Sequence, residues 1–177
     1  RKTTAKPAKG AGPRPEQAAA PKPVKLTDNA VVRRNEELNQ LTVGLIKSTA
    51  KGVHEEILGH RKPDLAFPVR SLGNVKYTKE RGYFEIGRQK KLRTLTVNTV
   101  KSFAQTLRMM GLSKDLIEGN DFATKRDAYY QSKNWEEARF DEQTESDAVM
   151  DDIEAMFSLD GVTREQLRFY PEDHGGN

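Results

Sequence analysis

A mainly helical α+β domain, in which a helix-turn-helix lies beside a β-hairpin, is predicted by three features of this 177-residue sequence. Several segments repeat apolar residues at the spacing of a helix face. Two short runs alternate apolar and polar residues about the turn Lys79-Glu80-Arg81-Gly82. The formal charge of +4 conceals a strong polarity along the chain. Residues 1–34 hold nine Lys/Arg against two Asp/Glu, residues 61–114 hold thirteen against three, and residues 134–177 hold three against thirteen. A folded block with a net charge of +10 followed by one of −10 is the electrostatic footprint of a phosphate-backbone binder, or else a solvated charged face.

Residues 1–34 read as a disordered basic tail, because Pro7, Pro13, Pro15, Pro21 and Pro23 interrupt a Lys/Ala/Gly background without periodicity. Residues 35–177 read as one domain. From about residue 36 to 60, Leu38, Leu41, Leu45, Val53 and Ile57 predict a long helix, with Gly44 and Gly52 each weakening it. Pro63 and Pro68 bracket an edge strand carrying Leu65, Phe67 and Val69. Val75 and Tyr77, then Phe84 and Ile86, form the hairpin, and a further strand spans about 92–97. Val100, Phe103, Ala104, Leu107 and Met110 define the next helix, which Gly111 stops. Ser113 caps a second, short helix ending at Gly119. Thr124 opens a third, with Asp127 reaching back in a capping-box arrangement. In helix-turn-helix order that third helix is the one presented to DNA, and with the hairpin as wing the parts form a winged-helix domain. A last amphipathic helix carries Val149, Ile153, Met156 and Phe157 inward, with Asp147, Asp151, Asp152 and Glu154 on a solvated face.

The chemically informative string is Thr124-Lys125-Arg126-Asp127-Ala128-Tyr129-Tyr130-Gln131-Ser132. Residues four apart on a helix are neighbours, so the guanidinium of Arg126 lies beside the phenol oxygen of Tyr130, or beside a phosphate approaching it. A free tyrosine ionises near pH ~10, so attack at neutral pH needs a base, a cation or a metal-bound phosphate to share the developing charge. Tyr129 points about 100° away around the helix and is expected to pack.

This string resembles the active-site motif of the A subunit of DNA topoisomerase VI and of the related meiotic double-strand-break protein, the type IIB topoisomerase family. Two further strings are similar to family blocks: Pro68-Val69-Arg70-Ser71-Leu72-Gly73-Asn74-Val75 and Gly161-Val162-Thr163-Arg164-Glu165-Gln166-Leu167. The similarity covers roughly residues 36–173. It implies that Tyr130 is the nucleophile, joined transiently to DNA in a double-strand break through which another duplex passes, with Arg126 as its basic helper. It also implies an A-subunit homodimer, an ATP-binding ATPase B subunit in an A2B2 complex, and Mg2+ held by a Toprim domain through a Glu and an Asp-x-Asp pair. No Asp-x-Asp occurs in this sequence, so no metal ligands are expected here and the fragment alone should not cleave DNA. Arg88, Lys90, Lys91 and Arg93 are candidates for DNA phosphate contacts, with Arg70 and Lys125 nearer the scissile bond.

The absence of Cys excludes a disulfide framework, a thiolate zinc site and a cysteine nucleophile, and fits a reducing compartment, the cytoplasm with its nucleoid. No apolar run reaches a membrane-span length, and His54, His60 and His174 stand apart, without zinc-ligand spacing. A chain beginning at Arg1 and ending in Gly175-Gly176-Asn177 reads as a segment of a longer protein. Three other readings compete: a non-catalytic winged-helix DNA-binding module, a recombination-initiating relative, and a structural domain whose acidic face docks a protein.

Overall fold

The computed structural model describes residues 28–78, 83–87 and 89–171. The architecture is α+β and mainly helical, as expected. In chain order it runs α1 (Asp28–Leu58), β1 (Asp64–Pro68), a 3-10 turn, β2 (Val75–Thr78), β3 (Tyr83–Ile86), β4 (Lys90–Thr94) and α2 (Val100–Glu118). Then follow β5 (Ala123–Thr124), α3 (Lys125–Ser132), a second 3-10 turn, α4 (Gln143–Ser158) and β6 (Phe169–Tyr170). β1 pairs antiparallel with β4, β2 antiparallel with β3, and β5 parallel with β6.

The core lies between α2 and α4. Met109 and Met110 of α2 meet Met150, Ile153 and Phe157 of α4, and Phe140, Val162, Leu167 and Phe169 close the cluster. α1 lays Ile46 onto it. A smaller cluster of Val53, Leu65, Phe67 and Phe103 sits under the β1–β4 pair. The buried stripe of α1 is Thr42, Ile46 and Val53, whereas the predicted Leu41 and Ile57 are exposed. The difference is a small rotation of the helix. Thr42 hides its polarity by donating its hydroxyl to the Leu38 carbonyl at 2.7 Å, so a polar residue occupies a buried position that an apolar template passes over.

Three expectations are corrected. α1 begins at Asp28, so the last residues assigned to the tail are helical. Gly111 does not stop a helix: α2 runs unbroken from Val100 to Glu118, with open space around Gly111. Ser113 therefore caps nothing. It is fully buried mid-helix, and its hydroxyl donates to the Leu167 carbonyl 2.9 Å away, tying α2 to the turn before β6. A buried hydroxyl with a tertiary partner tolerates the helix interior, and eighteen other residues outweigh one glycine. The last predicted strand is also shifted, to β4 at Lys90–Thr94. The hairpin forms as predicted, although its tip at 79–82 lies outside the described residues.

Asn74 anchors that hairpin to the β1–β4 pair. Its side-chain amide is buried and shares its hydrogens among the carbonyls of Val69 (2.8 Å), Gln89 (3.1 Å) and Gly87 (3.3 Å), while its oxygen accepts from the Gln89 amide. Gly87 faces it so closely that a Cβ there would stand 2.6 Å from the Asn74 carbonyl oxygen. Two glycine substitutions should therefore act in opposite directions in denaturant unfolding. Gly87→Ala should destabilise by about 1–3 kcal/mol through overpacking. Gly111→Ala, in an open helix interior, should stabilise by up to about 1 kcal/mol.

Candidate active site

The site is built on α3, a helix of only two turns. Thr124 has extended backbone geometry and its hydroxyl accepts from the Asp127 amide, while the Asp127 carboxylate accepts from the Thr124 amide at 3.2 Å. This reciprocal capping box, predicted from the Thr-x-x-Asp spacing, fixes the residue at which the helix starts. Ala128 and Ser132, four apart, are fully buried against the core. Arg126 and Tyr130 lie two residues from them, about 200° around the helix, and so face outward.

On that outer face the Nε–H of Arg126 donates to the phenol oxygen of Tyr130 at 3.1 Å, and the guanidinium carbon lies 5.6 Å from the ring centroid. Tyr130 is 52% exposed. An exposed phenol whose oxygen accepts from a permanent cation is chemically useful. The donor strengthens as the oxygen gains charge, so it stabilises a developing phenolate more than the neutral phenol. Tyr129 lies against the core, as expected, with its hydroxyl donating to the Asp141 carbonyl at 3.0 Å.

The candidate cations divide into two groups. Lys90 and Lys91 are exposed on β4. Arg70 and Arg93 instead reach α4: Arg70 contacts Asp151 at 3.3 Å and Asp152 at 3.0 Å, and Arg93 contacts Asp152 at 2.9 Å. Arg93 also donates to the Thr106 hydroxyl and covers the Phe67 ring at 4.5 Å. Lys125 lies 3.9 Å from Asp147. Arg88 lies outside the described residues.

The acidic face of α4 is accordingly not a solvated one. Arg164 pairs with both Asp151 and Glu154, so three arginines occupy its carboxylates. Burial works against the charge of Arg164, but the Glu154 hydrogen bond and the two carboxylates together raise its pKa further above its ordinary value. Sequence reasoning missed these partners because they are distant in the chain. The only signal was the matching size of the basic and acidic blocks.

The sequence profile of the family described as Type IIB DNA topoisomerase matches residues 101–168, the stretch that holds α3, α4 and all but the first residue of α2. The A subunit of type 2 DNA topoisomerase 6 from Methanocaldococcus jannaschii is 47% identical over 128 residues, covering 72% of this chain and 34% of the relative. The chain belongs to the type IIB DNA topoisomerase family. The corresponding protein of Methanothermobacter thermautotrophicus is 29% identical over 139 residues, 78% of this chain and 38% of its own length. That of Aeropyrum pernix is 33% identical over 132 residues, 68% and 33%. The chain thus spans about a third of the length of these topoisomerase 6 A subunits. Among the described residues no helix is long and apolar enough to cross a membrane.

Two measurements check the local architecture. Thr124→Ala removes the cap and should cost about 1 kcal/mol of stability in denaturant unfolding. Asp141, at the loop that receives Tyr129, has its carboxyl held below the usual range, first by the hydrogen bond from Lys101 at 2.7 Å. A lowered folded pKa contributes stability that is complete above the unfolded value of about 3.9 and disappears as pH falls through the folded one. Lys101→Met should remove that part of the acid dependence, read as a smaller loss of stability between about pH 4 and pH 2 than in the parent.

Proposed function

We propose that this chain is the tyrosine-bearing part of the A subunit of an ATP-dependent type IIB DNA topoisomerase, with Tyr130 as nucleophile and Arg126 as its charge-stabilising partner. The observation that carries this reading is the Arg126 donor at 3.1 Å from the phenol oxygen of an exposed tyrosine. It lies inside the stretch that matches the family. In the reaction the Tyr130 oxygen attacks a backbone phosphorus and displaces a deoxyribose oxygen. The phenol gives up a proton and the sugar oxygen takes one up. One phosphodiester is exchanged for another, so the break retains its bond energy and reseals without an external energy source for the chemical step. Arg126 neutralises charge on the phenol oxygen or on the phosphate.

The magnesium that such cleavage uses does not fit these residues. The α4 carboxylates Asp151, Asp152 and Glu154 are neutralised by Arg70, Arg93 and Arg164, and among the described residues no group of three His, Asp or Glu side chains is placed to hold a metal. In this proposal the metal and its ligands belong to a Toprim domain elsewhere in the longer protein. Two A subunits pair as a homodimer and join two ATPase B subunits, forming an A2B2 complex in the cytoplasm and its nucleoid. Duplex DNA crosses the face carrying α3, with Lys90 and Lys91 as exposed phosphate contacts and Arg70, Arg93 and Lys125 free for phosphate only when their carboxylate pairs open.

The test uses the full-length A subunit with its ATPase partner, magnesium, ATP and labelled supercoiled DNA, stopped with denaturant. Label retained on protein by the parent and absent for Tyr130→Phe supports the nucleophile. Relaxation by Tyr130→Phe would refute it, and normal DNA binding without any cleavage by the parent would favour a non-catalytic module. Arg126→Gln should slow cleavage by on the order of 100-fold, the loss typical of one charge-stabilising donor. Lys90→Ala and Lys91→Ala should each weaken DNA binding at all sequences and reduce the slope of log affinity against log salt by about one unit, checked by salt titration.

A further inference from the structure

Tyr130 projects from a two-turn helix into solvent, so its backbone alone does not settle where its ring points. Two side chains neighbour the ring. Arg126 and Tyr129 both lie beside it, the Arg126 guanidinium carbon 5.6 Å from its centroid and the two tyrosine centroids 5.5 Å apart with their planes tilted by 44°. Tyr129 is itself clamped. Its hydroxyl donates to the Asp141 carbonyl at 3.0 Å, and the Lys133 ammonium sits 4.2 Å from its ring centroid. Lys133 in turn donates to the carbonyls of Phe140, at 2.7 Å, and of Asp141, at 3.3 Å. Tyr129 and Lys133 thus converge on one backbone carbonyl and fasten the C-terminal end of α3 to the loop before α4. That loop is held from its other sides, by Glu145 accepting from the Asp141 amide and by Lys101 on the Asp141 carboxylate.

This assembly is more than packing requires. A packed tyrosine satisfies its hydroxyl as a matter of course, but packing alone does not call for a cation against the ring that converges on the same carbonyl. We infer that Tyr129, locked by Lys133 and the Asp141 carbonyl, is a positioning residue that holds the Tyr130 ring at the orientation from which its oxygen attacks. The inference rests on Tyr130 being the nucleophile. Tyr129 touches no reacting atom; it forms a rigid wall that removes one of the arcs through which Tyr130 could swing. Fixing a reacting group within a fraction of an ångström is worth large factors in rate, and a misplacement of about 1 Å can cost on the order of 100-fold. The cation above Tyr129 adds to the lock without entering the reaction.

The experiment compares Tyr129→Leu, Tyr129→Phe, Lys133→Met and Tyr130→Phe in the full-length A subunit with its ATPase partner. It reads the single-turnover rate of covalent complex formation, DNA affinity and the unfolding midpoint. Tyr129→Leu is expected to slow covalent attachment about 10- to 100-fold at unchanged DNA affinity. Tyr129→Phe, which keeps the ring wall and the Lys133 contact, should recover most of the rate. Lys133→Met should fall between parent and Tyr129→Leu, and it serves as the deciding variant if Tyr129→Leu folds poorly. Parent-like rates in Tyr129→Leu, or in a well-folded Lys133→Met, alongside an inactive Tyr130→Phe, would overturn the positioning role and leave the nucleophile standing. A cleavage-competent Tyr130→Phe would instead remove the reading on which the inference rests.

Discussion

The stability of α3 is the constraint on which the site depends. An isolated helix of eight residues does not persist in water, because nucleation costs more than two turns of hydrogen bonds return. α3 therefore exists only through what is attached to it: the Thr124/Asp127 box at its start, Ala128 and Ser132 against the core, and the Tyr129/Lys133 clamp at its end. Each attachment also fixes the rotation of the helix about its axis. Once Ala128 and Ser132 are inside, Arg126 and Tyr130 have no direction left but outward. The same contacts that allow the helix to form set the geometry of the phenol.

The charge distribution has a second meaning in three dimensions. The basic and acidic blocks are not separate faces of the molecule, since Arg70 and Arg93, from the ends of the β1–β4 pair, close onto Asp151 and Asp152 of α4. The Arg93 and Asp152 side chains are only about a quarter exposed, at 26% and 23%. Removing one partner of such a pair leaves the other poorly solvated, and that costs more than the pair contributes. This network holds the sheet to α4, α4 holds α3 through Ala128 and Lys125, and so an electrostatic joint distant from Tyr130 belongs to its support. Among the described residues of the β1–β4 pair, Lys90 and Lys91 are exposed to a polyanion.

Local features were legible in the sequence and tertiary ones were not. The capping box, the hairpin and the Arg126/Tyr130 contact each depend on residues within a few positions of one another, where spacing translates directly into geometry. The α2 break at Gly111 failed because Ser113 is a cap by local preference, and only its bond to Leu167, 54 residues on, makes it a helix-interior residue. Asn74 and Gly161 appear in strings that resemble family blocks, yet neither reveals its purpose in the sequence. Asn74 satisfies backbone carbonyls of three different residues, and Gly161 turns the chain at φ 83° so that Val162 enters the core. Of the three family-like strings, two therefore have evident structural work to do, and the third carries the exposed phenol.

The continuity of α2 also changes which helix is third. With one helix where two were expected, α3 becomes the middle member of the α2–α3–α4 trio and α4 the last. A rule that presents the third helix to DNA would then select α4. Its chemistry argues otherwise: Ser146, Val149, Met150, Ile153, Ala155 and Phe157 are buried, and the carboxylates Asp151, Asp152 and Glu154 that remain are already engaged by arginines and offer phosphate no donor. α3 buries only Ala128 and Ser132 and leaves Arg126 and Tyr130 outward, at the edge of the fold. In the proposed reading, presentation follows from which helix the core can spare, and the two-turn helix is the one it spares.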